Sequence, residues 1–190
     1  MEVKLPNRDG NGPYNNDVQS RGYGNRQPSI RNRRRTPYRG INMNNNLYAF
    51  YEKESKNVYI EKVDKSKCKS KNLNVLPQNE CYNIIYKGEK AGIITFGKST
   101  RYDHIAFCHV LIFNKFKLLS LARIVRYMFA KKYGIKKLYV TVNANNTSAV
   151  RACEKFNCIR LRDKKQEYLR NRGLLGKDQI RYLELYNFGG

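Results

Sequence analysis

Arginine is the residue whose placement speaks first of chemistry. Arg31, Arg33, Arg34, Arg35 and Arg39 crowd one short stretch, Arg21 and Arg26 precede it, and tyrosines interleave in Arg21-Gly22-Tyr23-Gly24 and Pro37-Tyr38-Arg39-Gly40. Guanidinium groups fork onto phosphate oxygens, and arginine and tyrosine planes stack on bases with little regard to sequence. Arg21, Arg26, Arg31, Arg33, Arg34, Arg35, Tyr38 and Arg39 are therefore candidate nucleic-acid-binding residues. A nuclear address or a solubilising tail is the plainer reading of the same run. Elsewhere the reactive side chains are few: His104 and His109 in one apolar run, and five cysteines, Cys68, Cys81, Cys108, Cys153 and Cys158. An odd count without a CxxC pair argues against a disulfide framework and a zinc ribbon, so reduced, buried thiols and no metal are expected.

The elements that must position these residues fall into two parts. Residues 1–46 carry Asn, Gly, Pro and Arg in place of an apolar pattern, and cannot bury enough surface to offset the entropy of ordering. They read as a disordered-type basic arm, and residues 47–190 as one domain. From Asn57 the pattern changes. Val58-Tyr59-Ile60 alternates like a strand, and Lys65 to Asn79 is polar and loop-like. Asn83 to Tyr86 and Ala91 to Phe96 form a hairpin about Lys87-Gly88-Glu89-Lys90, and His104 to Phe113 is the next strand. Leu118 to Tyr133 has helical periodicity and a glycine stop at Gly134. Ile135 to Val142 is a strand, Asn146 or Thr147 caps a helix to about Phe156, and Ile159 to Arg162 and Ile180 to Leu185 are short strands. Strand, helix, strand and helix in this order predict an α/β fold with a parallel βαβ core.

A net charge of +23 on 190 residues is self-repelling without an anionic partner, and nucleic acid or an RNA–protein assembly is the expected one. No apolar run is long enough to cross a membrane and the first thirty positions lack a signal peptide's apolar core. The expected location is intracellular, in cytoplasm or nucleus, or packaged in a virion.

The run Gly134-Ile-Lys-Lys-Leu-Tyr-Val-Thr-Val-Asn-Ala-Asn-Asn-Thr-Ser-Ala-Val-Arg-Ala-Cys-Glu-Lys-Phe-Asn-Cys158 resembles the second half of a GNAT (N-acetyltransferase-like) domain. In that family a strand ends in Val-x-x-Asn, an Asn-x-x-Ala turn opens a helix, and the helix ends in Tyr-Glu-Lys-x-Gly-Phe. Asn143, Asn146, Ala149, Glu154 and Lys155 fall in register. The hairpin, the strand from His104, the helix after it and the last strand keep the family's order. The chain is also similar to the branch that acetylates N-termini of ribosomal proteins.

The resemblance implies a GNAT-like mixed sheet and acetyl-CoA, with its pyrophosphate at a helix N-terminus carrying Arg/Gln-x-x-Gly-x-Gly/Ala. Without a gap this motif falls on Asn114, Lys117 and Leu119 and loses both glycines. With a helix three residues shorter it falls on Lys117, Ser120 and Ala122. Lys115, Lys117, Ser120, Ala122, Asn143 and Asn146 are then the candidate cofactor-binding residues. A general base at the fourth strand would be His109, with Asp103 and His104 at its entrance, although a lone strand histidine is more often packed. The family's acid, a tyrosine, is replaced by Cys153, where an apolar residue would serve equally well. Asn157 and Cys158 stand where Gly and Phe are usual.

Two readings follow. The perturbed motif and the charge favour a non-catalytic or weakly catalytic component of a nucleoprotein assembly, virion or ribosome-like, that binds nucleic acid through its arm. The alternative is an acetyl-CoA-dependent N-acetyltransferase acting on a protein or small-molecule amine.

Overall fold

A computed structural model describes residues 39–156 and 158–189. The chain from Asn45 onward forms one compact unit. It opens within helix α1 (Arg39–Ser55), which the arm-like composition had hidden and whose Tyr51 is buried in the core. Strand β1 (Val58–Val63) follows. A 3-10 helix (Lys65–Lys71) then interrupts the expected loop, capped by Asp64, whose side chain accepts the Ser66 N–H.

Strands β2 (Glu80–Tyr86) and β3 (Glu89–Lys98) form the predicted hairpin. Its turn is tighter than the four residues expected, because Lys87 and Gly88 both take positive φ, as a two-residue type I′ turn requires. Next come β4 (Ile105–Ile112), a second 3-10 helix (Asn114–Leu119), α2 (Leu121–Tyr133) and β5 (Lys137–Asn143). The remaining elements are α3 (Thr147–Lys155), β6 (Ile159–Arg160), α4 (Asp163–Asn171) and β7 (Gln179–Leu185). Helix α4 lies between the two short strands expected at the end of the domain, where no element is expected.

The seven strands make one sheet in the order β1-β2-β3-β4-β5-β7-β6. Every pair is antiparallel except β4 with β5, the pair joined through α2. That is the geometry a strand–helix–strand crossover imposes. Leu121, Ile124, Val125 and Phe129 give α2 a buried stripe that packs in one core with Ile94, Cys108, Leu138 and Val140. Gly134, at φ 65°, closes the helix as its place in the sequence predicts. Beyond the two rungs of β6, the Gln166 side chain continues the ladder: its Nε2 donates to the Arg181 carbonyl and its Oε1 accepts the Arg181 N–H, each at 2.8 Å.

Cys68 and Cys81 are joined as a disulfide with their Cα atoms 6.5 Å apart, so the expectation of five reduced thiols fails for this pair. Chain spacing carried no sign that the 3-10 helix would fold back onto β2 at bonding range. Cys108, Cys153 and Cys158 are free and buried. Among the described residues no helix is long and apolar enough to cross a membrane.

One buried ion pair clamps α2 to the sheet. Arg126 reaches Glu184 of β7 at 2.9 Å, with both side chains nearly out of solvent, and Tyr186 and Cys158 also donate to the carboxylate. Burial opposes ionisation of Glu184, but Arg126 and these donors hold its carboxyl below the usual range. Breaking one side of such a pair strands a buried charge. Glu184→Ala should cost about 3–5 kcal/mol in urea unfolding, whereas the double change Arg126→Met with Glu184→Leu should recover most of that loss.

Candidate functional site

Pairing between β4 and β5 runs from Ile105↔Lys137 to His109↔Thr141 and stops there, although β4 continues to Ile112 and β5 to Asn143. The two strands part. Phe113 donates its N–H to the Ala91 carbonyl of β3. By the alternation of an antiparallel ladder, the backbone groups of Ile112 therefore face the gap. A cavity of about 150 Å³ occupies this opening. That is the size that takes a benzene-like guest.

The cavity's walls gather most of the residues singled out in the sequence. His109 comes from β4, Lys117, Ser120 and Ala122 from the approach to α2, Asn143 from β5, and Asn146 and Cys153 from α3. Lys115 is not among them: it lies at the surface and pairs with Glu89 at 2.6 Å. Asn146 caps α3 by accepting the Ala149 N–H at 3.3 Å, and the Asn143 side-chain oxygen accepts from Gln179 at 3.3 Å. Arg21, Arg26, Arg31, Arg33, Arg34, Arg35 and Tyr38 lie outside the described residues, and Arg39 is the first residue of α1.

Helix α2 begins at Leu121, three residues later than its periodicity predicts, because Ser120 takes the left-handed conformation, φ 53° and ψ 22°. This is the shorter-helix register, with Ser120 where the family motif has glycine. The first N–H groups of a helix lack intrahelical acceptors, and in α2 the Arg123 N–H is already taken by the Ser120 carbonyl at 3.1 Å, which leaves those of Leu121 and Ala122 at a helix start that Ser120, Ala122 and Arg123 bring onto the cavity lining. Arg123 was not foreseen from sequence. Its guanidinium stacks on Phe156 at 3.4 Å and donates to the Ser120 hydroxyl at 2.9 Å, and its Nη1 is buried without a partner. A phosphate-bearing ligand fits this end: unpaired N–H groups, a positive dipole, Lys117, and a guanidinium nitrogen in want of an acceptor.

The fold is GNAT-like. The mixed sheet and its parallel β4–β5 pair joined through α2 are what the sequence resemblance anticipates. No family model matches the chain, and no curated protein matches its sequence. Among solved structures it is similar to an acetyltransferase from Thermus thermophilus at 17% identity, covering 58% of this chain and 66% of that one, with a TM-score of 0.44. It is also similar to a GNAT family acetyltransferase from Elizabethkingia anophelis with acetyl-CoA bound, at 13% identity over 68% and 99% of the two chains and a TM-score of 0.47. An IAA acetyltransferase from Bacillus cereus gives 16% identity, 68% and 99% coverage, and a TM-score of 0.47. The chain spans less than two thirds of the length of the Thermus protein, 66%.

Within the GNAT-like frame His109 is almost wholly buried, and its Nδ1 accepts the Asn74 backbone N–H at 2.7 Å. The ring proton therefore sits on Nε2. Burial, reinforced by the charge of Arg181, lowers its pKa to about 4. As it stands, the ring is neutral with its lone pair occupied. Cys153 lies against Cys158, whose thiol donates to Glu184 at 3.3 Å.

The neutral His109 makes stability depend on pH. Its contribution is full above the ordinary pKa of 6.5, where folded and unfolded rings are both neutral, and is lost as pH falls toward about 4. The loss over that window is roughly 3 kcal/mol at about 1.36 kcal/mol per pKa unit. Urea midpoints of the wild type should therefore fall between pH 7 and pH 4.5, and His109→Gln should flatten that slope.

Proposed function

We propose that the chain is an acetyl-CoA-dependent N-acetyltransferase. The observation that carries this reading is the cavity at the parting of β4 and β5, with the Ser120 turn, the start of α2, Lys117 and the unpartnered Arg123 Nη1 at one end. A merely structural descendant of the fold has no need for a buried guanidinium nitrogen without an acceptor beside free helix N–H groups. When bound, acetyl-CoA supplies an activated acyl group as a thioester.

The chain's own residues divide the remaining work. Lys117, Arg123 and the first turn of α2 bind phosphate oxygens. The backbone of Ile112, facing the gap, offers an N–H to a ligand laid along β4 in the manner of an added strand. The Cys153 thiol, on the α3 wall, would donate a proton to the departing thiolate, a transfer favoured by the hydrogen bond with Cys158 that holds Cys153 below the ordinary thiol range. His109, once its Nδ1 is free, would take the proton that the attacking amine sheds, and that proton would restore the Cys153 thiol on the same cavity. The amine nitrogen forms the amide bond as the carbon–sulfur bond breaks.

Isothermal titration with acetyl-CoA tests this. Micromolar binding is expected, and no heat at millimolar cofactor would end the proposal. Lys117→Ala and Arg123→Ala should each weaken binding about tenfold, in line with the roughly 1.5–3 kcal/mol of a charged hydrogen bond. In turnover, Cys153→Ala should lower kcat with KM little changed.

The nucleoprotein reading belongs to residues 1–46 and rests on their arginine-rich composition. If that segment holds nucleic acid, its removal should weaken binding and flatten the salt dependence. An unchanged salt slope would move the contact to the lysine-rich body.

A further inference from the structure

Opposite the apolar core, one polar residue from each of four strands stands in a single row. The register places Thr95 of β3 against His109 of β4, His109 against Thr141 of β5, and Thr141 against Arg181 of β7. All four are buried. The cavity between β4 and β5 abuts the row, since His109 and Thr141 are on its lining. Arg181 is only 2% exposed, yet among the described residues no carboxylate lies within ion-pair distance of it. Its Nη2 donates to the Leu174 carbonyl at 2.8 Å and to the Asn74 side-chain oxygen at 3.3 Å, and its Nε is buried with no partner. A guanidinium taken so far from water without a counter-charge is costly unless an anion completes it.

Asn74 covers this row. Its backbone N–H goes to His109 Nδ1 at 2.7 Å, its side-chain oxygen to Arg181, and its carbonyl accepts the Thr95 hydroxyl at 2.8 Å. One residue thus presents a nitrogen donor to the histidine and, two carbons away, an oxygen acceptor to the arginine. We propose that the row is the acceptor subsite of the transferase, that Asn74 is its internal surrogate, and that the acceptor is a primary amine with a carboxylate two carbons away. β-Alanine and an N-terminal aspartyl residue have this framework. The carboxylate supplies the charge that the Asn74 carboxamide lacks, and the amine takes the place of the Asn74 N–H on His109. This rests on the acyl transfer proposed above.

The experiment uses the full chain with β-alanine, β-alaninamide and propylamine. With acetyl-CoA present, kcat/KM for β-alanine should exceed that for the other two at least tenfold. Arg181→Gln should erase the preference through KM, leaving kcat and acetyl-CoA affinity little changed. Without cofactor, β-alanine should shift the His109 ring nitrogen resonances of the wild type and not those of Arg181→Gln. That measurement decides the subsite even if acetyl-CoA fails to bind. Asn74→Asp, which places a carboxylate on Arg181, should raise the thermal midpoint and weaken β-alanine at least tenfold. This variant serves if Arg181→Gln does not fold. Equal response to β-alanine and propylamine, a preference surviving Arg181→Gln, or unchanged β-alanine affinity in Asn74→Asp would each overturn the proposal.

Discussion

Two parallel strands that separate before they end impose the main constraint on this molecule. A sheet tolerates such a gap only if the exposed backbone groups find partners or face a ligand, because unpaired peptide groups out of water are costly. Here β4 remains fixed to β3 along its whole length while β5 remains fixed to β7, so the opening cannot close by sliding either strand. What surrounds it follows from that constraint. Helix α2 delivers its N-terminus to one end of the gap, α3 forms a wall, and the polar row lies beside the last rung of pairing.

The two faces of the sheet have opposite characters, and alternation along each strand produces both. Ile94, Cys108, Val140 and Tyr182 point to the helices, while their neighbours Thr95, His109, Thr141 and Arg181 point the other way. Apolar packing on the first face supplies cohesion. On the second, burial is tolerated only through specific hydrogen bonds, which Asn74 and Gln179 provide. Gln179 alone touches Asn72, Asn143, Gly176 and Asn74, so the loop before β2, the turn before β7 and the end of β5 are fastened to the same β7 residue.

The core was legible because its elements are written in strong local patterns. The apolar stripe of α2, Gly134 after it, the β5 run and the Asn146 cap each act within a few residues, and the order of elements then dictates parallel pairing. The start of α2 was misread because Leu118 and Leu119 continue the helical periodicity, whereas the left-handed turn at Ser120 is a backbone choice with no glycine to announce it. Helix α1 was hidden by asparagines. Arg126 had a visible signal, a charge set between apolar neighbours in α2, as Arg123 also is. Arg181 had none: in Gln179-Ile-Arg-Tyr-Leu-Glu-Leu185 it is one of two charges three residues apart, which in a strand fall on opposite faces and ordinarily mark solvent. The loop 72–79, brought across from far away in the sequence, turns that face inward together with the Leu174 carbonyl. Asn74, the residue that organises the polar row, looks in sequence like any other polar loop position.

The side-chain amide of Gln166 has a consequence beyond holding α4 in place. A terminal strand with free peptide groups is an invitation for a second molecule to add itself and start a fibre. β6 covers only two residues of β7, and past them Leu161 donates its N–H to the Arg181 carbonyl at 3.2 Å but offers no acceptor to the Arg181 N–H. By offering one donor and one acceptor in the spacing of a peptide unit, Gln166 imitates a third rung without lengthening the strand. The sheet is thereby finished by a helix-borne counterfeit of backbone, a termination that denies neighbouring copies a foothold at the margin nearest the polar row.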